Sequence, residues 1–261
     1  MIENVSPKKS LGQHFLTDEN ISKKIVTSVS LKKFDAIIEI GPGKGSLTKY
    51  LFEFSDKLIL VEYDAESVEF IKSSFEKYNP NIINQDFLKF NLRDVLFKKN
   101  KNLIIGNFPY NISTQIIFKV LDNYLLVDDL IGMFKIEVAE RIISKPNSKQ
   151  YGIISVKTQL LYNVKILFDV SPNVFFPKPK VNSSVISMKR KKNININFDI
   201  KLFDRLVKLS FQQRRKKIKN SLKKLDIKES ILEDSIFDLR PEQLSVNEFI
   251  RLTQKINNEA I

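Results

Sequence analysis

Ile37-Ile38-Glu39-Ile40-Gly41-Pro42-Gly43-Lys44-Gly45 is the stretch on which the fold turns. A short apolar run breaks into three glycines at alternate positions, and a helical pattern follows. That order predicts a strand, a tight turn and a helix start. Glycine takes positive φ without strain and lets a ligand approach where a Cβ would block it. The N–H groups at the start of the helix favour anionic or polar ligand atoms. The next apolar run, Leu58-Ile59-Leu60-Val61, ends in Glu62, 21 positions after Gly41. An acid about 20 residues beyond the turn, at the tip of the second strand, is placed to accept from a ribose diol. A nucleoside-type cofactor is therefore expected across the carboxyl ends of a parallel sheet. The spacing is Gly-x-Gly-x-Gly, whereas the dinucleotide fingerprint is Gly-x-Gly-x-x-Gly. This favours S-adenosylmethionine, which has no pyrophosphate to cradle, over NAD.

The chain of 261 residues suffices for one large domain and a small one. With no cysteine and one histidine, disulfides, thiolate metal sites and a cysteine nucleophile are excluded, and no metal is expected. No apolar run reaches the ~18 residues of a membrane span. Met1–Val5 lacks the layout of a signal peptide. A soluble, cytoplasmic protein is expected, and nothing suggests an obligate dimer, so a monomer is expected too.

Charge is unevenly spread. Residues 189–224 hold 14 Lys and Arg against two Asp, a local net charge of +12, and the whole chain carries +13. A solvated lysine-rich face usually intersperses acids. Their scarcity here points to a polyanion footprint, and so to nucleic acid.

Strands and helices alternate along the first 190 residues. After a polar, irregular segment over 1–17, Thr17 or Asp18 caps a helix reaching Val29. Strand 36–40 leads to helix 46–54, strand 58–61 to helix 64–78, and strand 81–84 to Asp86-Phe87. Strand 103–105 runs into Asn107-Phe108-Pro109-Tyr110 and a helix from Ser113. Strand 130–135 precedes a helix over 137–144, a loop over 145–150 and a helix over 151–162. Two β segments, 164–170 and 184–189, flank the proline-rich Phe175–Lys180. This predicts a doubly wound, mostly parallel sheet with an antiparallel ending. The expected domains are 1–190 for cofactor binding and catalysis, a linker over 191–197, and a helical RNA-binding domain over 198–261.

Three strand ends meet at one crevice: Gly41–Gly45, Glu62 and Asp86. Asp86 is placed to accept from the exocyclic amine of an adenine, with Phe87 over the ring face; taken alone, Asp86 is equally an ordinary turn cap. The fourth strand end offers more specific chemistry. The lone pair of adenine N6 is delocalised and poorly nucleophilic. Acceptance of its N–H groups by the Asn107 side chain and the Phe108 carbonyl favours a more pyramidal nitrogen. Tyr110 would stack on the ring and align it with a methyl donor. A proton lost after transfer requires no strong base. A base in a duplex would have to be flipped out, a cost that stacking offsets.

These motifs, in this order, resemble the KsgA family of ribosomal RNA adenine dimethyltransferases over nearly the full length. Lys9–Leu16 is similar to its Gly-Gln-Asn-Phe-Leu opening, with His14 where the family has Asn. Phe175–Ser183 is similar to its Phe-x-Pro-x-Pro-Lys-Val-x-Ser segment. Phe211–Lys216, Asn220–Leu222 and Arg240–Ser245 are similar to its helical-domain signatures. The resemblance implies a Rossmann-like S-adenosylmethionine-dependent methyltransferase sheet with a small all-helical C-terminal domain. It implies four methyl transfers, two to each of two adjacent adenines in the 3′-terminal hairpin of small-subunit (16S) rRNA, late in subunit assembly. His14, Leu16, Gly41, Gly43, Glu62, Asp86, Phe87 and Asn107 would contact the cofactor. Asn107, Phe108 and Tyr110 would hold the target base, with Phe175 as a second aromatic wall. Arg214, Arg215, Lys216 and Lys217 would contact RNA. Two other readings share these features: Erm-type dimethylation of one adenine in large-subunit (23S) rRNA, and a non-catalytic assembly or transcription factor on the same fold. Intact Glu62, Asp86 and Asn107–Tyr110 argue against the latter.

Overall fold

The computed structural model describes residues 5–194, 196–225 and 227–258. Asn195 of the expected linker, Asp226 and residues 259–261 of the expected helical domain, and residues 1–4 lie outside the described residues. The chain divides into two compact units, residues 1–139 with 164–190, and residues 140–163 with 191–261.

The first unit opens with β1 (Phe15–Leu16) and α1 (Glu19–Thr27), followed by β2 (Ala36–Ile40), α2 (Thr48–Leu51), β3 (Leu58–Glu62) and α3 (Ala65–Ser74). Then come β4 (Ile82–Asn84), β5 (Asn102–Asn107), α4 (Ser113–Asp122), β6 (Asp129–Lys135) and α5 (Ile136–Ile143), which runs on into the second unit. After α6 (Ile153–Leu161), the chain returns as β7 (Tyr162–Val170), β8 (Phe175–Phe176) and β9 (Ser183–Arg190). The sheet order is β4-β3-β2-β5-β6-β9-β7, parallel from β4 through β6 and antiparallel where β9 meets β6. From β2 the chain winds outward to β3 and β4, then returns to β5 and β6. The switch point lies at the carboxyl end of β2, where ligands of such sheets bind. Every residue of β2 is buried, as expected of a strand covered on both faces. Ile37, Leu60, Leu103, Ile105, Ile131 and Met133 belong to one core.

Asp18, not Thr17, caps α1, accepting from the Ile21 N–H at 2.9 Å. The helices after the glycine turn and after β3 are shorter than their patterns suggest. Each ends in a 3₁₀ turn, over Phe52–Lys57 and Glu76–Tyr78. The sequence reading also leaves 1–17 irregular and treats Phe175–Lys180 as a separator. Instead, β1 and β8 pair as a two-residue antiparallel ribbon, Phe15 with Phe176 and Leu16 with Phe175. Two residues are too few for any alternation to register.

In the second unit, α6 joins α7 (Ile200–Gln212), α8 (Ile218–Ser221), α9 (Glu229–Leu232) and α10 (Val246–Asn258). Residues 140–163 thus group with the C-terminal helices, whereas the sequence reading puts them with the sheet. The reason is packing: α6 is buried at Ile154, Val156, Leu160 and Leu161 and meets α7 and α10. Phe203 and Phe249 stand edge to face at 6.5 Å in the centre of this unit. Among the described residues no helix is long and apolar enough to cross a membrane.

Candidate active site

The ends of β2, β3 and β5 and the segment Leu11–Leu16 enclose a cavity of about 240 Å³. Gly41 and Gly43 hold φ of 64° and 55°, the left-handed region that a side chain strains. A Cβ at Gly43 would also lie 2.9 Å from Cε1 of Phe15, itself part of the cavity wall. The bare glycine backbone thus leaves a cradle beside β2.

Glu62 faces the cradle from β3. Its carboxylate accepts from the N–H of Gly43 at 3.1 Å and of Asp64 at 2.9 Å. Burial pushes its pKa up, against the pull of those two N–H groups. A carboxylate has about four acceptor sites, so capacity remains for a diol. Asp86 uses one oxygen to accept from the Leu88 N–H at 2.8 Å, capping the turn, while the residue also lines the cavity. The capping role and the cavity position thus coexist at Asp86. Phe87 lines the cavity too, with the Lys119 ammonium 5.2 Å from its ring centroid.

Asn107 ends β5. Its Nδ2 donates to the His14 carbonyl at 2.9 Å, which fixes the amide and leaves Oδ1 as the acceptor. His14 makes this contact through its backbone. Its ring bonds the Pro177 carbonyl through Nδ1 at 2.6 Å and lies 5.1 Å from the Tyr110 ring. Tyr110 is fixed at its other end by a hydrogen bond between its hydroxyl and that of Ser183. The Lys135 ammonium sits 5.4 Å from the Tyr110 ring centroid. Burial raises the Tyr110 pKa, so the phenol stays neutral.

Phe108 turns its ring into the core, where a Cβ at Gly106 would lie 2.7 Å from Cε1 and one at Gly132 2.2 Å from Cε2. Those glycines face each other across β5 and β6. Their missing side chains form the slot that holds a phenylalanine after Asn107. Phe175 stands apart from the other expected site residues. It is 5 % exposed, belongs to the core beside Leu16, and is not among the residues lining the cavity. Period-two alternation turns it inward and Phe176 outward.

Three groups at the site are not singled out by sequence pattern for a role in the chemistry. Ser183 and Lys135 converge on Tyr110 from distant strands, and no local pattern signals that. Glu39 does carry a signal, an acid inside an apolar strand. It is fully buried against the cavity, and burial pushes its carboxyl up to about 8. The Thr48 hydroxyl opposes this shift, although neither it nor Glu39 Oε2 makes a hydrogen bond of normal geometry; negative Glu62 reinforces it. An orphaned buried oxygen, a glycine cradle and spare acceptors on Glu62 fit a nucleoside-type ligand with polar ends.

In the second unit, Arg214 donates to the Ser148 carbonyl at 3.0 Å and lies 3.8 Å from the Glu242 carboxylate. Lys217 pairs with Asp238 at 3.0 Å, while Arg215 and Lys216 are exposed. Acids from beyond residue 224 therefore enter the basic stretch. Among the described residues, no group of three acids or histidines that could hold a metal is present.

This fold and cradle define a Rossmann-like methyltransferase that uses S-adenosylmethionine. The family model "Ribosomal RNA adenine dimethylase" matches residues 4–257, and the chain belongs to that family of rRNA methyltransferases. It is 50 % identical over 260 residues to "Ribosomal RNA small subunit methyltransferase A" of Flavobacterium johnsoniae, covering 100 % of this chain and 99 % of the relative. A dimethyladenosine transferase from Plasmodium falciparum superposes with a TM-score of 0.82 at 24 % identity, over 95 % of this chain and 99 % of that one. The 23S rRNA methyltransferase ErmE superposes at 0.67 with 21 % identity, over 93 % and 99 %. The two structures share the fold, and the sequence relative is nearer in identity than either.

Proposed function

We propose that the protein dimethylates the N6 amines of two adjacent adenines in the 3′-terminal hairpin of small-subunit (16S) rRNA. The name borne by a relative at 50 % identity over the full length supports the choice of subunit. The observation that carries the chemistry is the anchored amide of Asn107. S-adenosylmethionine supplies an electrophilic methyl on a sulfonium. The cradle at Gly41 and Gly43, the acceptors of Glu62 and Asp86, and the walls at Leu16 and Phe87 enclose the cofactor. His14 takes part through its backbone.

In the first transfer Asn107 Oδ1 and the Phe108 carbonyl accept the two N–H groups of the target amine, and in the second one of them accepts the single N–H that remains; each hydrogen bond draws the nitrogen lone pair out of conjugation. Tyr110, held at its hydroxyl by Ser183, stacks on the base and sets its plane. Orientation of this kind carries much of the acceleration. The methylated nitrogen, now cationic, then loses one N–H proton to water, so no strong side-chain base is required. The sheet unit performs the chemistry, and the helical unit holds RNA through Arg215 and Lys216. The protein works as a monomer in the cytoplasm, where subunits assemble.

Incubation with labelled S-adenosylmethionine and undermethylated small or large ribosomal subunits tests this. Label recovered as N6,N6-dimethyladenine from small-subunit RNA is expected. Label confined to large-subunit RNA points to the Erm-type reaction. No label, with subunit binding intact, points to a non-catalytic assembly factor.

A further inference from the structure

An exposed aromatic adjoins the ribbon beside the cavity, and the proposed chemistry leaves it unused. Phe176 is 62 % exposed while Phe175 is 5 % exposed. Residues opposite each other in a ribbon project to the same side. Phe175 pairs with Leu16 and Phe176 with Phe15, and both of those partners line the cavity. Phe176 is thus an exposed residue of a ribbon whose other strand forms part of the cavity wall. The next residue fixes its position: the Pro177 carbonyl bonds the ring of His14, and that ring lies 5.1 Å from Tyr110. Exposed Lys178 and Lys180 follow, and residues 170–198 contain neither Asp nor Glu.

An exposed aromatic beside exposed lysines is the arrangement that holds single-stranded nucleic acid, with stacking for the base and ammonium groups for its phosphates. We propose that Phe176, with Lys178 and Lys180, is a stacking platform for the single-stranded RNA base next to the target adenine. This rests on the reading of an rRNA adenine as substrate. If two adjacent adenines are modified in turn, the one outside the cavity stacks on Phe176 while its neighbour reacts.

The test compares Phe176→Ala, Phe176→Leu, Phe176→Trp and Phe97→Ala with the unaltered protein, in binding to undermethylated small subunits and in steady-state methylation. Phe97 is 61 % exposed just ahead of β5, at the sheet end away from the cavity, and controls for loss of any exposed phenylalanine. Phe176→Ala and Phe176→Leu should each raise the KM for the subunit on the order of tenfold, the loss of one stacked base. Cofactor affinity should not change, and Phe176→Trp should behave as the unaltered protein. Equal behaviour of Phe176→Ala and Phe97→Ala overturns the platform. Full function in Phe176→Leu overturns stacking in favour of an apolar protein contact. Lys178→Ala with Lys180→Ala should flatten the log–log salt dependence of binding by roughly 0.7 per lost phosphate contact; an unchanged slope removes the lysines from the proposal. Failure of the unaltered protein to methylate small subunits would count against the substrate reading alone, because the binding comparison still reads Phe176.

Discussion

The cavity and the basic stretch Arg214–Lys217 serve one proposed reaction by different physics. In the cavity, three polar groups are held by fixed partners: Glu62 by two backbone N–H groups, Asn107 by the His14 carbonyl, Tyr110 by Ser183. In the basic stretch, Arg214 and Lys217 have protein partners, Lys217 through an exposed ion pair, while Arg215 and Lys216 are exposed cations. A site built on geometry fails when one atom is lost. A site built on charge weakens by degrees and answers to salt.

Asn107→Ala gives the largest contrast. It removes the acceptor for the target amine while leaving the basic stretch intact. Methylation should fall on the order of 100-fold or more, with subunit affinity and its salt slope nearly unchanged. An equal fall in RNA affinity would mean that the cavity grips RNA as strongly as it positions it, and the contrast would dissolve.

Glu39 tests the cavity from the other side, as a cost carried for position. Its carboxyl titrates near 8 when folded, against an ordinary 4.5. Between those values the folded protein keeps a proton that the unfolded chain has lost, so stability falls as pH rises through that window. The contribution is whole below 4.5 and gone above 8, and its slope is at most about 1.4 kcal/mol per pH unit. Glu39→Gln cannot ionise. Its melting temperature should fall less steeply than that of the unaltered protein from pH 5 to 8. Parallel curves would show that Glu39 titrates normally.

Gly132→Ala probes how tightly the site is supported. The added methyl would lie 2.2 Å from the Phe108 ring, and overpacking of this sort costs typically 1–3 kcal/mol. Displacement of Phe108 also moves its carbonyl, so kcat should fall with stability. Phe108→Leu in the same chain should restore both. Without that rescue, the slot between Gly106 and Gly132 is not what sets the carbonyl.

The two regions were also unequally legible. That Gly41, Gly43, Glu62, Asp86 and Asn107 line one cavity is legible in the sequence because each sits at or just beyond a strand end, where local pattern and topology coincide. The place of Phe175 is not: a two-residue ribbon gives no alternation to count, and only pairing with Leu16 shows which way the ring turns. Ser183 meets Tyr110 across 73 residues, a contact made by the antiparallel return of β9. In the basic stretch, counting charges along a window missed Asp238 and Glu242, which fold brings in from outside it.

Those acids set the last and smallest expected effects, which divide the basic stretch itself. Arg214 holds the Ser148 carbonyl and lies near a buried Glu242 oxygen that has no hydrogen-bond partner. Its side chain is 36 % exposed, so solvent screens the pair. Arg214→Ala should cost about 1 kcal/mol, a fall of roughly 2–4 °C in melting temperature. Arg215→Ala with Lys216→Ala removes exposed cations that support nothing in the fold, so the melting temperature should hold. Their loss should instead reduce the log–log salt slope of RNA binding by roughly 0.7–0.9 for each phosphate contact. If Arg214→Ala flattens the slope as much without destabilising the protein, Arg214 belongs with the RNA contacts and the loop at Ser148 stands without it. If the double variant melts early with its slope intact, the exposed pair is structural, and the charge footprint must lie elsewhere in 189–224.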